Sequence, residues 1–250
     1  MNILDKKSVS DVIHQFYKLQ GYKFEWSLSY NSFNILHTPE YPIAFIGLNP
    51  GGDEKTKYNP EIESESGKSA YYYENWTRSS LSPPEEKDLN PLQMQMVKLY
   101  ARLSDIYGCN YSDLMDKSIM ANFVPFRSKD WNSLPNKSTA LEFSRQLWSE
   151  ILKHARIKVI ICMSVVVFNE LNTTLCELGF SLLPEKSEAK RTGWGRTKYQ
   201  AVTYVKDNKE VLLIRLPHLS RYKMFNSENC RVAIDDIMHM INSHVILQSG

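Results

Sequence analysis

Apolar positions along the chain fall into two periods. Val12, Ile13, Phe16, Tyr17 and Leu19 recur at near-helical spacing and predict a helix over 8–19, with Ser10 as a candidate cap and Gly21 as a stop. Leu92, Met96, Leu99, Tyr100 and Leu103 predict a second helix over 91–107. Leu141, Phe143, Leu147, Ile151 and Leu152 predict a third over 138–155, with Ser138 as its candidate cap. Further helices are expected at 165–178, before Gly179, and at 227–243. Between them lie short continuous apolar runs at 42–48, 119–124, 158–163 and 211–216. Runs of this kind suit strands buried on both faces, and the Val/Ile-rich run at 158–163 should be central. A further segment, 198–205, is β-like. Four apolar strands alternating with helices argue for an α/β fold: a three-layer sandwich with a parallel sheet, helices on both faces and right-handed crossovers.

Residues 51–90 interrupt this alternation. They are polar and turn-rich, with Tyr71-Tyr72-Tyr73 and Trp76 in their midst, and read as a long inserted loop. With no internal repeat and no clear linker, the 250 residues are expected to form one domain, 1–250. The N-terminus lacks a continuous apolar run of the signal-peptide kind, and nothing approaches a membrane span. Cys109, Cys162, Cys176 and Cys230 show no Cys-x-x-Cys spacing, so reduced thiols and a cytoplasmic protein are expected. Net charge is only +2, yet residues 186–231 hold eleven Lys/Arg against four Asp/Glu. A basic third of this kind is what a DNA-facing surface requires, although a solvated surface with chance asymmetry would also produce it.

The candidate chemistry lies where two of the apolar runs break into loops. The first reads Gly47-Leu48-Asn49-Pro50-Gly51-Gly52 and the second Pro217-His218-Leu219-Ser220-Arg221-Tyr222. In open α/β sheets, the loops after strand C-termini are where ligands bind. A carboxamide on one loop and an imidazole on another can grip a reacting group from two sides. Gly-x-Asn-Pro-Gly followed much later by His-x-Ser resembles the two signature motifs of the uracil-DNA glycosylase superfamily. The second motif departs from that pattern at Leu219, where proline is usual.

The resemblance covers roughly residues 40–240 and implies a four-stranded parallel sheet in order 2-1-3-4. It implies cleavage of an N-glycosidic bond in DNA by a monofunctional enzyme, with no metal, no organic cofactor and no obligate protein partner. Asn49 would position water, since a carboxamide orients water rather than deprotonating it. His218 would donate to a pyrimidine O2 as negative charge develops there. Asn122, ending the second strand, would read the base edge, and Phe123 or Phe126 would stack on it. Gly47 and Pro50 complete the first motif. Gly51 and Gly52 stand where the uracil-specific branch has a bulky tyrosine against C5, so a 5-substituted base would fit. Ser220 would bind a flanking phosphate, Arg221 or Tyr222 would fill the gap left by the flipped nucleotide, and Lys190, Arg191, Arg196 and Lys223 would lie near phosphates. The superfamily includes bacterial anti-phage enzymes that remove bulky modified cytosines, which makes glucosylated 5-hydroxymethylcytosine a substrate candidate. Excision of uracil or 5-modified uracil in repair is the alternative within the family. A non-catalytic nucleic-acid-binding module is the alternative outside it. A nucleotide-binding enzyme has no support, because no Gly-x-Gly-x-x-Gly or phosphate-loop signature is present.

Overall fold

The computed structural model of the chain describes residues 6–52, 67–74, 76, 89–183 and 188–246. The strands are β1 (Ile43–Gly47), β2 (Ile119–Asn122), β3 (Val159–Cys162), β4 (Ser181–Leu182), β5 (Lys190–Arg191), β6 (Lys198–Lys206) and β7 (Lys209–Arg215). The helices are α1 (Lys6–Gln20), the single turn α2 (Ala70–Tyr73), α3 (Pro91–Tyr107), α4 (Tyr111–Lys117), α5 (Lys137–His154), α6 (Val165–Glu177) and α7 (Arg231–Ile246). Asn90 starts α3 by accepting from the Leu92 and Gln93 N–H groups, ahead of Pro91 in the first helical position.

The sheet has seven strands and is mixed, in order β2-β1-β3-β7-β6-β4, with β5 on β6. This corrects the expectation of a four-stranded, fully parallel sheet. β2, β1, β3 and β7 run parallel, whereas β4 and β5 pair antiparallel with β6, and β6 antiparallel with β7. The reason is local. Asp207-Asn208 forms a two-residue turn between Lys206 and Lys209, with Asp207 at φ 52, and so short a loop can only join antiparallel neighbours.

Side chains of β1 alternate between two apolar clusters. Ala44 and Ile46 pack with α1, α5 and α6, while Ile43 and Phe45 pack with α3, α4 and α7. The parallel strands are therefore sealed on both faces, which leaves their ends as the places where polar side chains can reach solvent. A non-helical segment flanks β2 on its outer side. Asn122 N–H donates to Leu28 O at 2.8 Å, Tyr30 N–H to Met120 O at 2.7 Å, and Ser27 N–H to Pro125 O at 2.7 Å. These bonds cover the edge of β2 and set Tyr30 beside its end.

The β5–β6 hairpin turns through Thr192-Gly193-Trp194-Gly195-Arg196-Thr197. Thr192 N–H donates to Thr197 O, Thr197 N–H and Oγ1 both donate to Trp194 O, and Trp194 N–H donates to Thr192 Oγ1. At Gly193, φ is +89 and an added Cβ would lie 1.8 Å from Asn229 O, so only glycine fits. Gly195, at φ +54, faces open space. Gly193→Ala should therefore cost about 3 kcal/mol, from overlap and backbone strain together. Gly195→Ala should cost about 1 kcal/mol, from backbone conformation alone. Urea unfolding of both variants checks this ranking, and equal midpoints would contradict it.

Candidate functional site

Strand register brings the motif residues to one end of the sheet. Ile46, Cys162 and Arg215 lie level across β1, β3 and β7. Asn49 and His218 each follow three residues beyond that level. Gly47 pairs with Asn122 across β1 and β2. All three candidate polar side chains therefore stand at the C-terminal edge of the parallel strands, with β3 between the Asn49 and His218 loops.

Asn122 is 2% exposed. Its Oδ1 accepts from the Tyr30 hydroxyl at 3.2 Å, while its Nδ2 is buried with no hydrogen-bond partner among the described residues. A Cβ at Gly47 would come within 3.0 Å of that Oδ1, so the motif glycine makes the space the carboxamide occupies. Asn49 has the opposite polarity. Its Nδ2 donates to Ser128 Oγ at 2.8 Å and to Phe126 O and Pro50 O at 3.3 Å each. Its Oδ1 makes no such bond among the described residues and can accept from water.

His218 is exposed at the start of a tight turn in which its carbonyl accepts from the Arg221 and Tyr222 N–H groups. Ser220 Oγ lies 2.9 Å from Nδ1. When the hydroxyl donates, the ring proton resides on Nε2, which is then the donor offered to a ligand. The hydroxyl expected on a phosphate is thus engaged with His218 instead. Leu219, where the resembled motif usually has proline, is fully buried and pins the turn to the core. Although the residue as a whole is exposed, partial desolvation of the imidazole by the atoms around it lowers the His218 pKa from its ordinary value, and the Arg221 guanidinium adds to that. The Arg221 guanidinium lies 5.4 Å from the Tyr222 ring centroid.

Other expectations need correction. Phe123 and Phe126 are fully buried; Phe123 stacks on Trp148, and Phe126 packs against Tyr22, Phe16 and Phe143. Neither offers a face to a base. Tyr30, partly exposed, stands beside Asn122 instead, and the partly exposed Trp76 lies 5.9 Å from the Tyr30 ring. Tyr71 is buried beneath them, while Tyr72 is held by Asp116, which also binds Lys68 and the Ser69 N–H. The rest of the inserted loop, 53–66, 75 and 77–88, lies outside the described residues. A Cβ at Gly51 meets nothing within 4 Å, and the Gly51 carbonyl accepts from the buried Arg127 at 2.8 Å; Gly52 is half-buried and Pro50 buried. Lys190 is ion-paired with Asp236 at 2.8 Å, so it is not a free cation for phosphate. Arg191, Arg196 and Lys223 are exposed.

All four cysteines are free thiols. Among the described residues no group of three or more His, Cys, Asp or Glu could hold a metal ion, and no helix is long and apolar enough to cross a membrane. A cavity of about 1110 Å³ lies at the opposite edge of the sheet, lined by the ends of α5 and α6 and the β6–β7 turn. It touches none of the motif residues. Compared with known proteins, the chain matches no family model and no curated sequence.

The electrostatics of His218 give a direct test. Replacing Arg221 with glutamine removes a positive charge that disfavours imidazolium, so the His218 pKa should rise. It should stay below the ordinary value of a free histidine, because partial desolvation of the ring, the larger cause, persists. NMR titration of the imidazole reads this; an unchanged or lowered pKa in Arg221→Gln would show that Arg221 does not act on the ring.

Proposed function

We propose that the chain is a monofunctional DNA glycosylase acting in the cytoplasm on a bulky 5-substituted cytosine, such as glucosylated 5-hydroxymethylcytosine, in defence against phage. The observation that carries this reading is the buried Asn122 carboxamide with its unpartnered Nδ2. A buried donor left unmade costs about 1–3 kcal/mol, a penalty that a bound ligand with an acceptor would remove. Cytosine N3 supplies such an acceptor, as does uracil O4. Tyr30, with Trp76 beside it, supplies aromatic surface next to that carboxamide.

The chemistry follows from the unengaged atoms. Once the nucleotide is extruded from the stack, Nδ2 of Asn122 holds the base edge. The C1′–N bond breaks and the electron pair leaves with the base. His218 Nε2–H donates to the carbonyl oxygen where that charge gathers. Asn49 Oδ1 accepts a hydrogen bond from water and turns its lone pair towards C1′. Water adds there and loses a proton, and the base takes one up, which yields free base and an abasic site. A neutral imidazole suffices as donor, consistent with the lowered His218 pKa.

The bulky substrate is supported by Gly51. Among the described residues no atom lies within 4 Å of a Cβ added there, and Trp76 lies 5.9 Å from the Tyr30 ring that flanks Asn122. Gly51→Tyr places an aromatic ring in open space, so it should leave the fold intact and abolish excision of a bulky modified cytosine. Retained excision at the wild-type rate would remove Gly51 from the specificity argument.

The deciding experiment incubates purified protein with DNAs carrying uracil, 5-hydroxymethylcytosine or its glucosylated form, then scores alkali-labile abasic sites. The glucosylated base should be released. Asn49→Ala and His218→Ala should each slow release by at least about a hundredfold, the scale of losing one preorganised group, with much smaller effects on DNA binding. Efficient uracil release without action on the glucosylated base would transfer the enzyme to repair. No release from any of the three would end the glycosylase reading.

A further inference from the structure

The β5–β6 hairpin is a feature that the proposed chemistry leaves unused. Trp194 sits at its tip, 37% exposed, and makes no ring contact or indole hydrogen bond among the described residues. The turn does not need the indole. Trp194 N–H and C=O are held by Thr192 and Thr197, Thr192 is buried, and Gly193 is locked against Asn229 O. The backbone is therefore fixed while more than a third of a large aromatic residue is left exposed to solvent. Burying the remaining exposed part would be favourable by about 2 kcal/mol, so a rigid turn that keeps it open to solvent points to a ligand.

The charges beside Trp194 identify that ligand. Arg191, Arg196 and Lys198 are exposed and have no carboxylate partner among the described residues. Lys190, in contrast, is tied to Asp236 and helps dock the hairpin on α7 together with Tyr199, which hydrogen-bonds the same carboxylate. Position completes the picture. β6 runs antiparallel to β7 with Gln200 opposite Arg215, so its N-terminal end and the hairpin tip lie at the same edge as the His218 loop. Gly193 also touches Asn229, just before α7 begins.

We infer that this hairpin is a finger that grips an unpaired DNA strand next to the target nucleotide, with Trp194 stacked on a base and Arg191, Arg196 and Lys198 on its phosphates. The inference rests on the glycosylase reading for the identity of the polyanion. The strand is unpaired because a base inside a duplex is already stacked on both faces, whereas a base freed by strand opening offers a face to an aromatic ring. A rigid finger loses little freedom on binding, which makes one exposed ring effective.

Fluorescence anisotropy with fluorescein-labelled, unmodified 20-mer DNA, single-stranded and duplex, tests it. Trp194→Ala should weaken single-strand binding about tenfold, with the urea midpoint unchanged, while Trp194→Phe should stay within about threefold of wild type. Replacing Arg191 and Arg196 together with alanine should reduce the slope of log affinity against log salt by about 1.4. Wild-type affinity in Trp194→Ala would overturn the finger and leave the glycosylase reading standing. Weakened duplex binding with single-strand binding intact would also overturn it, in favour of a wedge between paired bases. Absence of salt-dependent binding by the wild-type protein to either DNA would overturn the finger and the glycosylase reading together.

Discussion

Gly47 faces Asn122 across the β1–β2 register, and the space between them holds one carboxamide and no Cβ. This close approach governs what the sheet edge can be. β1 must end in glycine for β2 to end in a polar side chain that remains buried. The flanking segment at 26–31 must then run along β2 closely enough for Tyr30 to reach Oδ1, which its backbone bond to Met120 ensures. The result is a carboxamide with one atom satisfied by the protein and the other buried without a partner among the described residues.

The other two candidate side chains repeat the arrangement. Asn49 is anchored through Nδ2 to Ser128, and His218 through Nδ1 to Ser220. In each case one polar atom fixes the orientation and the other has no hydrogen-bond partner among the described residues. This is the form preorganisation takes when strand ends, rather than long flexible side chains, supply the functional groups. The substitution of leucine for the proline usual in the resembled motif fits the same logic. Leu219 is buried in the cluster beneath the turn, so packing holds the loop where a proline ring would otherwise restrict it.

Strands buried on both faces announced themselves as continuous apolar runs, and the loops that end β1 and β7 could therefore be placed at strand ends from the sequence. The antiparallel half of the sheet was harder to read. β6 buries Tyr199, Val202 and Tyr204 but leaves much of its length partly exposed, and β4 and β5 are two residues each, too short to show a period. Asp207-Asn208 was the available signal for the hairpin. Tyr30 had no signal at all, because the segment that carries it is ordered by hydrogen bonds to β2 and not by its own periodicity. Phe123 and Phe126, candidates for stacking or for core packing, show the converse. Their proximity in sequence to Asn122 suggested a shared site, yet the chain directs both rings into the core. Charge was only partly informative, since composition cannot distinguish Lys190, held by Asp236, from Arg191 and Arg196.

The claim that Asn122 keeps a buried donor in reserve for a base has a consequence for stability as well as for activity. Asn122→Leu has a similar branched shape and removes the unpartnered Nδ2, although Tyr30 loses an acceptor. The most direct measurement pairs urea unfolding of this variant with the abasic-site assay on glucosylated DNA. The unfolding midpoint should be equal to or above that of the wild type, because a buried unsatisfied donor is gone, while base release is lost. A variant that releases the base at the wild-type rate would show that Asn122 does not read it.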